Sequence, residues 1–215
     1  MLGTTTAVEG DWLVALAQDA GKGRQGRAWV SEPGNLFAST LVELGKGDPS
    51  APSLSLAAGV ALIRAVEAAA PATGLMLKWP NDLMIGSAKL AGILLERSGS
   101  RIVAGFGVNL ARAPDVPGRE TAALASVALV SPESFAPLLA ASFARALAMW
   151  RTDRLRLTTS WLESAHPIGT ALQVRASATE IIDGEFAGLD PDGALLLKLA
   201  DGSTRAVHAA DVSLA

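Results

Sequence analysis

The chain has 215 residues, a formal net charge of −3 and no cysteine. Its length allows one sizeable core, or one core with a small appendage, and the lack of cysteine excludes disulfides and thiolate metal sites, in keeping with a cytoplasmic setting. A mildly acidic chain is a poor nucleic-acid binder, residues 1–10 lack the basic start and apolar run of a secretion signal, and no stretch approaches the roughly 20 unbroken apolar residues of a membrane span, so a soluble protein with neither nucleic acid nor membrane as partner is expected.

The first apolar run, 12–17, reads as a strand, and it leads into Gly21-Lys22-Gly23-Arg24-Gln25-Gly26-Arg27-Ala28-Trp29. Glycines let backbone N–H groups approach an anion, and the interleaved cations supply charge-assisted hydrogen bonds to carboxylate or phosphate oxygens. The spacing Gly21, Gly23, Gly26 also spells G-x-G-x-x-G, a dinucleotide fingerprint that requires a helix opening at its end. Here Pro33-Gly34 breaks the chain too early for such a helix, so a dinucleotide fold is rejected. On these residues alone the loop fits either an anion cradle or a solvated basic turn.

Further along, 36–42 reads as a strand. The stretch 53–70 reads as a helix, with Pro52 ahead of it, Ser53 as its cap, and Leu54, Leu56, Ala57, Val60, Leu62, Ile63 and Val66 forming a broad apolar surface suited to covering a sheet. Strands are expected at 75–79, 83–85, 91–96 and 102–108, with Gly86-Ser87 and Gly99-Ser100 as turns, which makes 75–109 an antiparallel meander. Residues 109–131 read as a loop around Pro114-Asp115-Val116-Pro117-Gly118. A second helix starts at Ser131-Pro132-Glu133 and runs to about Trp150, and a short one is expected at 159–165. Composition changes at His166-Pro167-Ile168-Gly169. Beyond it Asp183-Gly184, Asp192-Gly193 and Asp201-Gly202 recur every nine residues between apolar runs, which reads as consecutive hairpins of a small barrel. His166 and His208 stand outside any cluster, and Trp150 and Trp161 read as packing residues.

Lys78-Trp79-Pro80-Asn81-Asp82 closes the strand that starts at Leu75. Proline holds Trp79 extended and stops the strand, which fixes a lysine at its end. Such a lysine either snorkels to solvent or faces a pocket as an anion ligand.

Five motifs then follow in order: G-K-G-R-Q-G-R-A-W at 21–29, G-N-L at 34–36, K-W-P-N-D at 78–82, K-L-A-G-I-L at 89–94 and G-F-G-V-N-L at 105–110. In order and spacing they resemble biotin–protein ligases, over nearly the whole chain. The resemblance implies an α+β fold, with a mixed or antiparallel sheet and packed helices (class II synthetase-like) over residues 1–165 and a small SH3-like barrel over 166–215. It implies that ATP and biotin are substrates, that biotin is activated to biotinyl-5′-AMP with release of pyrophosphate, and that the biotinyl group passes to a lysine of a biotin carboxyl carrier domain.

That chemistry brings a carboxylate onto an α-phosphate, so cations must hold two anions together. By resemblance Lys78 and Arg24 are the catalytic cations. Gln18, Gly21, Lys22 and Gly23, with Arg24 and Lys78, would contact biotin; Arg24, Arg27, Trp29, Asn81, Asp82 and Asn109 would contact ATP or the adenylate. Mg²⁺ is expected, with Asp82 as its candidate ligand. Trp79 would line the pocket. The loop 22–27 is expected to be mobile without ligand and ordered with the adenylate. A homodimer is compatible with the family, and no DNA-binding domain is expected.

The chain departs from the family pattern at Lys22, usually arginine, and at Gln18-Asp19, usually glutamine-threonine. It also lacks the family's S-T-N segment, in whose place stand Met1 to Thr6, so the catalytic domain is read as short at its N-terminus. The alternatives are a lipoate-attaching ligase with the same adenylate logic, or a biotin- or adenylate-binding protein without turnover.

Overall fold

In the computed structural model, which describes residues 6–71, 74–177, 179–208 and 210–214, the chain builds two antiparallel sheets. The comparison of Met1 to Thr6 with the S-T-N segment falls, Thr6 apart, outside the described residues. The larger sheet contains β1 (Trp12–Ala15), β2 (Leu36–Glu43), β3 (Leu75–Lys78), β4 (Asp82–Ile85), β5 (Ala88–Ser98) and β6 (Arg101–Val108), in the order β1-β2-β6-β5-β4-β3. All neighbours are antiparallel. The expected meander is present from β3 to β6. Gly86 (φ 56°) and Gly99 (φ 61°) turn the chain between β4, β5 and β6 in a left-handed conformation that a side chain would disfavour. β5 is five residues longer than the run 91–96.

Period-2 alternation gives this sheet two different faces. Ile102, Ala104, Phe106 and Val108 of β6, opposite Ala91, Ile93 and Leu95 of β5, form the face of the core. Two helices cover it, α1 (Leu54–Ala69) and α2 (Pro132–Thr152). α1 is buried nearly all round because it packs on the sheet and on α2 at once. The stretch Ala51–Ala69 is apolar and long enough to cross a bilayer, yet 67% of it is buried inside the protein, as a core helix should be. Phe106 joins Trp12 (5.8 Å, stacked) and Phe143 of α2 (5.7 Å, edge-on) in an aromatic cluster that ties β1, β6 and α2 together.

Two helix expectations need correction. Ser53 precedes α1 but does not cap it: a short 3-10 turn, Ala51–Ser53, leads in, and the Ser53 hydroxyl donates to the Ser50 carbonyl (2.7 Å) while accepting from the buried Trp150 indole N–H (2.8 Å). Satisfying a buried donor wins over capping. The third helix is α3 (Arg154–Glu163), not 159–165, because the Asp153 side chain accepts from Arg156 N (3.1 Å) and starts the helix five residues earlier. α2 begins as expected, with Ser131 accepting from Ser134 N at 3.3 Å.

The smaller sheet holds β7 (Ala171–Arg175), β8 (Ile181–Leu189), β9 (Leu195–Lys198), β10 (Thr204–Val207) and β11 (Asp211–Leu214), in the order β10-β9-β8-β7-β11. It has the strand number of an SH3-like barrel, and its ladder runs from β10 to β11 without closing among the described residues. Two of the three Asp-Gly pairs are turns, at Gly193 (φ 83°) and Gly202 (φ 85°). Asp183-Gly184 is not: both residues lie within β8, paired with Gln173 and Leu172. Glycine is needed at 184 for close packing, since a Cβ there would stand 2.6 Å from the Lys198 carbonyl oxygen and 2.7 Å from Leu197 Cγ. The two sheets touch where the Trp79 indole N–H donates to the Gly193 carbonyl (3.0 Å).

Candidate active site

The face of the larger sheet turned away from the helices opens into a cavity of about 750 Å³, large enough for a drug-sized ligand. Its wall is the glycine-rich loop, its end is the K-W-P-N-D turn, and Asp211 to Ser213 of β11 close one side.

The loop folds back on itself. Lys22 and Ala28 form an antiparallel bridge, Gly23 N donates to Arg27 O (2.7 Å), and Trp29 N donates to Gly21 O (2.9 Å). Between them Arg24–Gly26 make one 3-10 turn with Gln25 at φ 57°, and Arg27 leaves it extended at ψ 141°. No helix follows Gly26, consistent with rejection of the dinucleotide fingerprint. Gly21 does not line the cavity; glycine is needed there because a Cβ would meet the Trp29 carbonyl oxygen at 2.6 Å and Gln18 Oε1 at 2.9 Å. Gln18 accepts from the Ser31 hydroxyl (3.3 Å) at the cavity rim, and Lys22 is exposed there.

Both arginines of the loop reach across to other elements. Arg24 donates to Asn81 Oδ1 (3.3 Å) and to the Ala210 carbonyl (3.2 Å), while Arg27 forms an ion pair with Asp211 (2.8 Å). Asn81 is itself fixed by donating to Ile93 O (2.6 Å). Burial lowers the Arg24 pKa, against the opposing pull of Asp211 and Asp82. Burial alone would raise the Asp211 carboxyl, but the Arg27 hydrogen bond and the charges of Arg27, Arg24 and Arg119 bring it below its ordinary value.

Lys78 lines the cavity at the end of β3, beside the cis Trp79–Pro80 peptide, half-buried and without a hydrogen bond or ion pair among the described residues. Burial lowers its pKa, and the neighbouring Lys89 and Arg119 add to this while Asp82 opposes it. A cation desolvated and left without a partner is one for which an anionic ligand supplies the missing charge. His166 lies close enough to feel it, its pKa lowered by burial and then by the Lys78 charge.

Asp82, the candidate Mg²⁺ ligand, starts β4 and is paired with Lys89 at 2.5 Å. Among the described residues no three His, Cys, Asp or Glu side chains gather as a metal site, and an Mg²⁺ ion beside Asp82 would take phosphate oxygens among its ligands. Asn109 is buried, with its amide donating to the carbonyls of Ala122 (3.1 Å) and Lys89 (3.4 Å), whereas its Oδ1 has no partner. Asn109 thus ties the cavity-lining end of β6 to β5 and to the loop that follows β6.

Among the cavity residues that sequence reasoning did not single out are Lys89, Arg119 and Asp211. Lys89 belongs to a quoted motif, yet received no role; its ammonium group lies 5.4 Å from the Trp29 ring centre and completes the cationic wall. Arg119 projects from the loop after β6, which is tied to β5 by Lys89 N donating to Glu120 O (2.9 Å) and Ala122 N donating to Lys89 O (2.9 Å). Asp211 had no local signal, since its partner Arg27 is 184 residues away.

Residues 4–111 match the Biotin/lipoate A/B protein ligase family, and residues 173–215 match the Biotin protein ligase C terminal domain. A biotin–[acetyl-CoA-carboxylase] ligase of Paracoccus denitrificans is 41% identical over 202 residues, 87% of this chain and 83% of that protein. The chain belongs to the biotin protein ligase family. A second biotin–[acetyl-CoA-carboxylase] ligase, from Mycobacterium tuberculosis, is 30% identical over 95% of this chain and 79% of its own length. Among solved structures, the biotin protein ligase of Aquifex aeolicus in complex with biotin and ATP superposes with a TM-score of 0.85 at 22% identity, covering 97% of this chain and 91% of that one, which establishes the biotin protein ligase fold.

Proposed function

We propose that this chain activates biotin with ATP to biotinyl-5′-AMP and transfers the biotinyl group to a lysine of a biotin carboxyl carrier domain. The observation that carries the reading is the joining of Arg24, Arg27, Lys78 and Lys89 around one cavity whose floor is apolar sheet, in a chain 41% identical to a biotin–[acetyl-CoA-carboxylase] ligase. The apolar floor suits biotin's ring and valeryl chain. The cations suit the point where its carboxylate attacks the α-phosphate and pyrophosphate departs, because charge that develops there is stabilised by groups already oriented. In this reading Lys78 and Arg24 carry the catalytic charge with Lys89 beside them, Gln18, Lys22 and Gly23 border biotin, and Arg27, Trp29, Asn81 and Asn109 border the adenylate. Asp82 acts by holding Lys89.

Mg²⁺ accompanies the triphosphate and neutralises part of its charge. The catalytic role falls to residues 1–165 and the C-terminal domain to 166–215, and the reaction takes place in the cytoplasm. The match of residues 173–215 to the biotin ligase C-terminal domain favours biotin over lipoate.

The test is pyrophosphate release from ATP, with biotin and with lipoate. Release with biotin alone is expected; release with lipoate only, or none from folded protein, would overturn the reading. Lys22→Arg sharpens it: if the planar fork matters, adenylate binding tightens, whereas unchanged affinity means charge alone suffices.

A further inference from the structure

We infer that Gly92 and Gly107 are positioning residues: together they form a bare patch of sheet on which the Trp29 ring docks, and this docking is the latch that closes the glycine-rich loop over the cavity. Gly92 of β5 and Gly107 of β6 are direct cross-strand partners on the face away from the helices. A Cβ built on Gly107 would stand 2.4 Å from Trp29 Cε2, 2.5 Å from Cζ2 and 2.7 Å from Nε1, and one on Gly92 would stand 2.9 Å from Cζ3. One indole therefore spans both positions. No rotation about a terminal bond relieves such overlap, because the atoms belong to a rigid ring, so any side chain at 107 displaces Trp29 as a whole.

One further contact holds the ring, and another ties its backbone to the loop. Lys89 stands 5.4 Å from its centre, a cation–π distance, and Trp29 N donates to Gly21 O (2.9 Å), so the docked ring is continuous with the base of the loop. Against these stands the indole N–H itself, buried with no acceptor among the described residues. Docking the ring strips water from that group without replacing it, which keeps closure reversible. The balance suits a loop that closes over an adenylate and opens for an acceptor lysine. The latch deepens the reading given above, but it is a property of the loop and the sheet, and its test needs no substrate.

The loop carries its own reporter, since trypsin cuts after Lys22, Arg24 and Arg27 once the segment opens. Limited digestion of the protein alone, with fragments assigned by mass, is compared for wild type, Gly107→Ala, Gly105→Ala, Trp29→Ala and the Trp29→Ala/Gly107→Ala double variant. Cleavage in the loop should rise about tenfold or more in Gly107→Ala and Trp29→Ala, because cleavage tracks the open population. Gly105→Ala, two residues along the same strand, should match wild type, since its Cβ would meet nothing closer than 3.6 Å. The double variant should be cut like Trp29→Ala, the two changes acting on one contact. Cleavage of Gly107→Ala or Trp29→Ala at the wild-type rate would overturn the latch. If Gly107→Ala fails to fold while the double variant folds, the clash with the ring is established directly; if both fail, the glycine serves the sheet and the latch is refuted. Absence of biotin-dependent pyrophosphate release would refute the proposed activity and leave the digestion pattern standing.

Discussion

The two faces of the larger sheet are made by the same strands, yet they are built on opposite rules. On the helix side Ala91, Ile93, Ala104, Phe106 and Val108 fill space with side chains. On the cavity side Gly92 and Gly107 leave space for a residue from elsewhere in the chain. Alternation thus lets one ladder of hydrogen bonds serve stability on one face and ligand access on the other, and the lesson is that a missing side chain can be as specific as a present one.

Substitutions should separate the faces cleanly. The largest effect is expected for Phe106→Ala, which removes the centre of the aromatic cluster on the filled face; thermal or denaturant unfolding should register a loss of about 3–5 kcal/mol. Lys78→Met tests the opposite rule. Biotin-dependent pyrophosphate release should fall by about 10²–10³-fold, while unfolding is unchanged or shifted toward greater stability, because a half-buried cation without a partner is replaced by an apolar chain of similar length. A marked loss of stability in that variant would place Lys78 on the structural side of the comparison.

Between these lies Ser53→Ala, which strands the Trp150 indole N–H in the core at a cost of about 1–3 kcal/mol and should leave the Michaelis constants untouched. Asp211→Asn is expected to be smaller, since its pair with Arg27 is more than a third exposed: a rise of no more than about fivefold in the ATP Michaelis constant, with little change in unfolding.

The pH profile sharpens the Lys78 assignment. Its pKa is lowered by burial, so the charged form is lost at a pH below that of an ordinary lysine, and turnover should decline on the alkaline side earlier than free-lysine titration predicts. Lys78→Arg, if active, should move that decline upward. An unchanged alkaline limb in the arginine variant would assign the titration to another group.

The sequence carried the meander from β3 to β6 because its turns are local: Gly86-Ser87 and Gly99-Ser100 sit between runs of strand length. It carried the cationic loop and Lys78 for the same reason, since both are contiguous motifs. What it could not carry depends on register or on distant contacts. Asp183-Gly184 has the dipeptide of a hairpin turn, yet the glycine answers to the Lys198 carbonyl across the ladder. Ser53 has the residue type of a cap, yet its hydroxyl answers to Trp150, 97 residues later. The pairing of Gly92 with Gly107 exists only once β5 and β6 are aligned, and a shift of one residue would turn it to the other face. Asp211 lies so far from Arg27 that no local pattern can join them.

The contacts of β11 bear on the cavity as well as on the fold. Arg24 and Arg27 reach the Ala210 carbonyl and the Asp211 carboxylate only a few residues from the last position of the chain. A change confined to the Asp211 carboxylate, which leaves Val212 in the core and the β11–β7 ladder in place, would therefore perturb the nucleotide side of the cavity before it perturbed folding. A well-folded preparation with a weakened response to ATP would be its symptom.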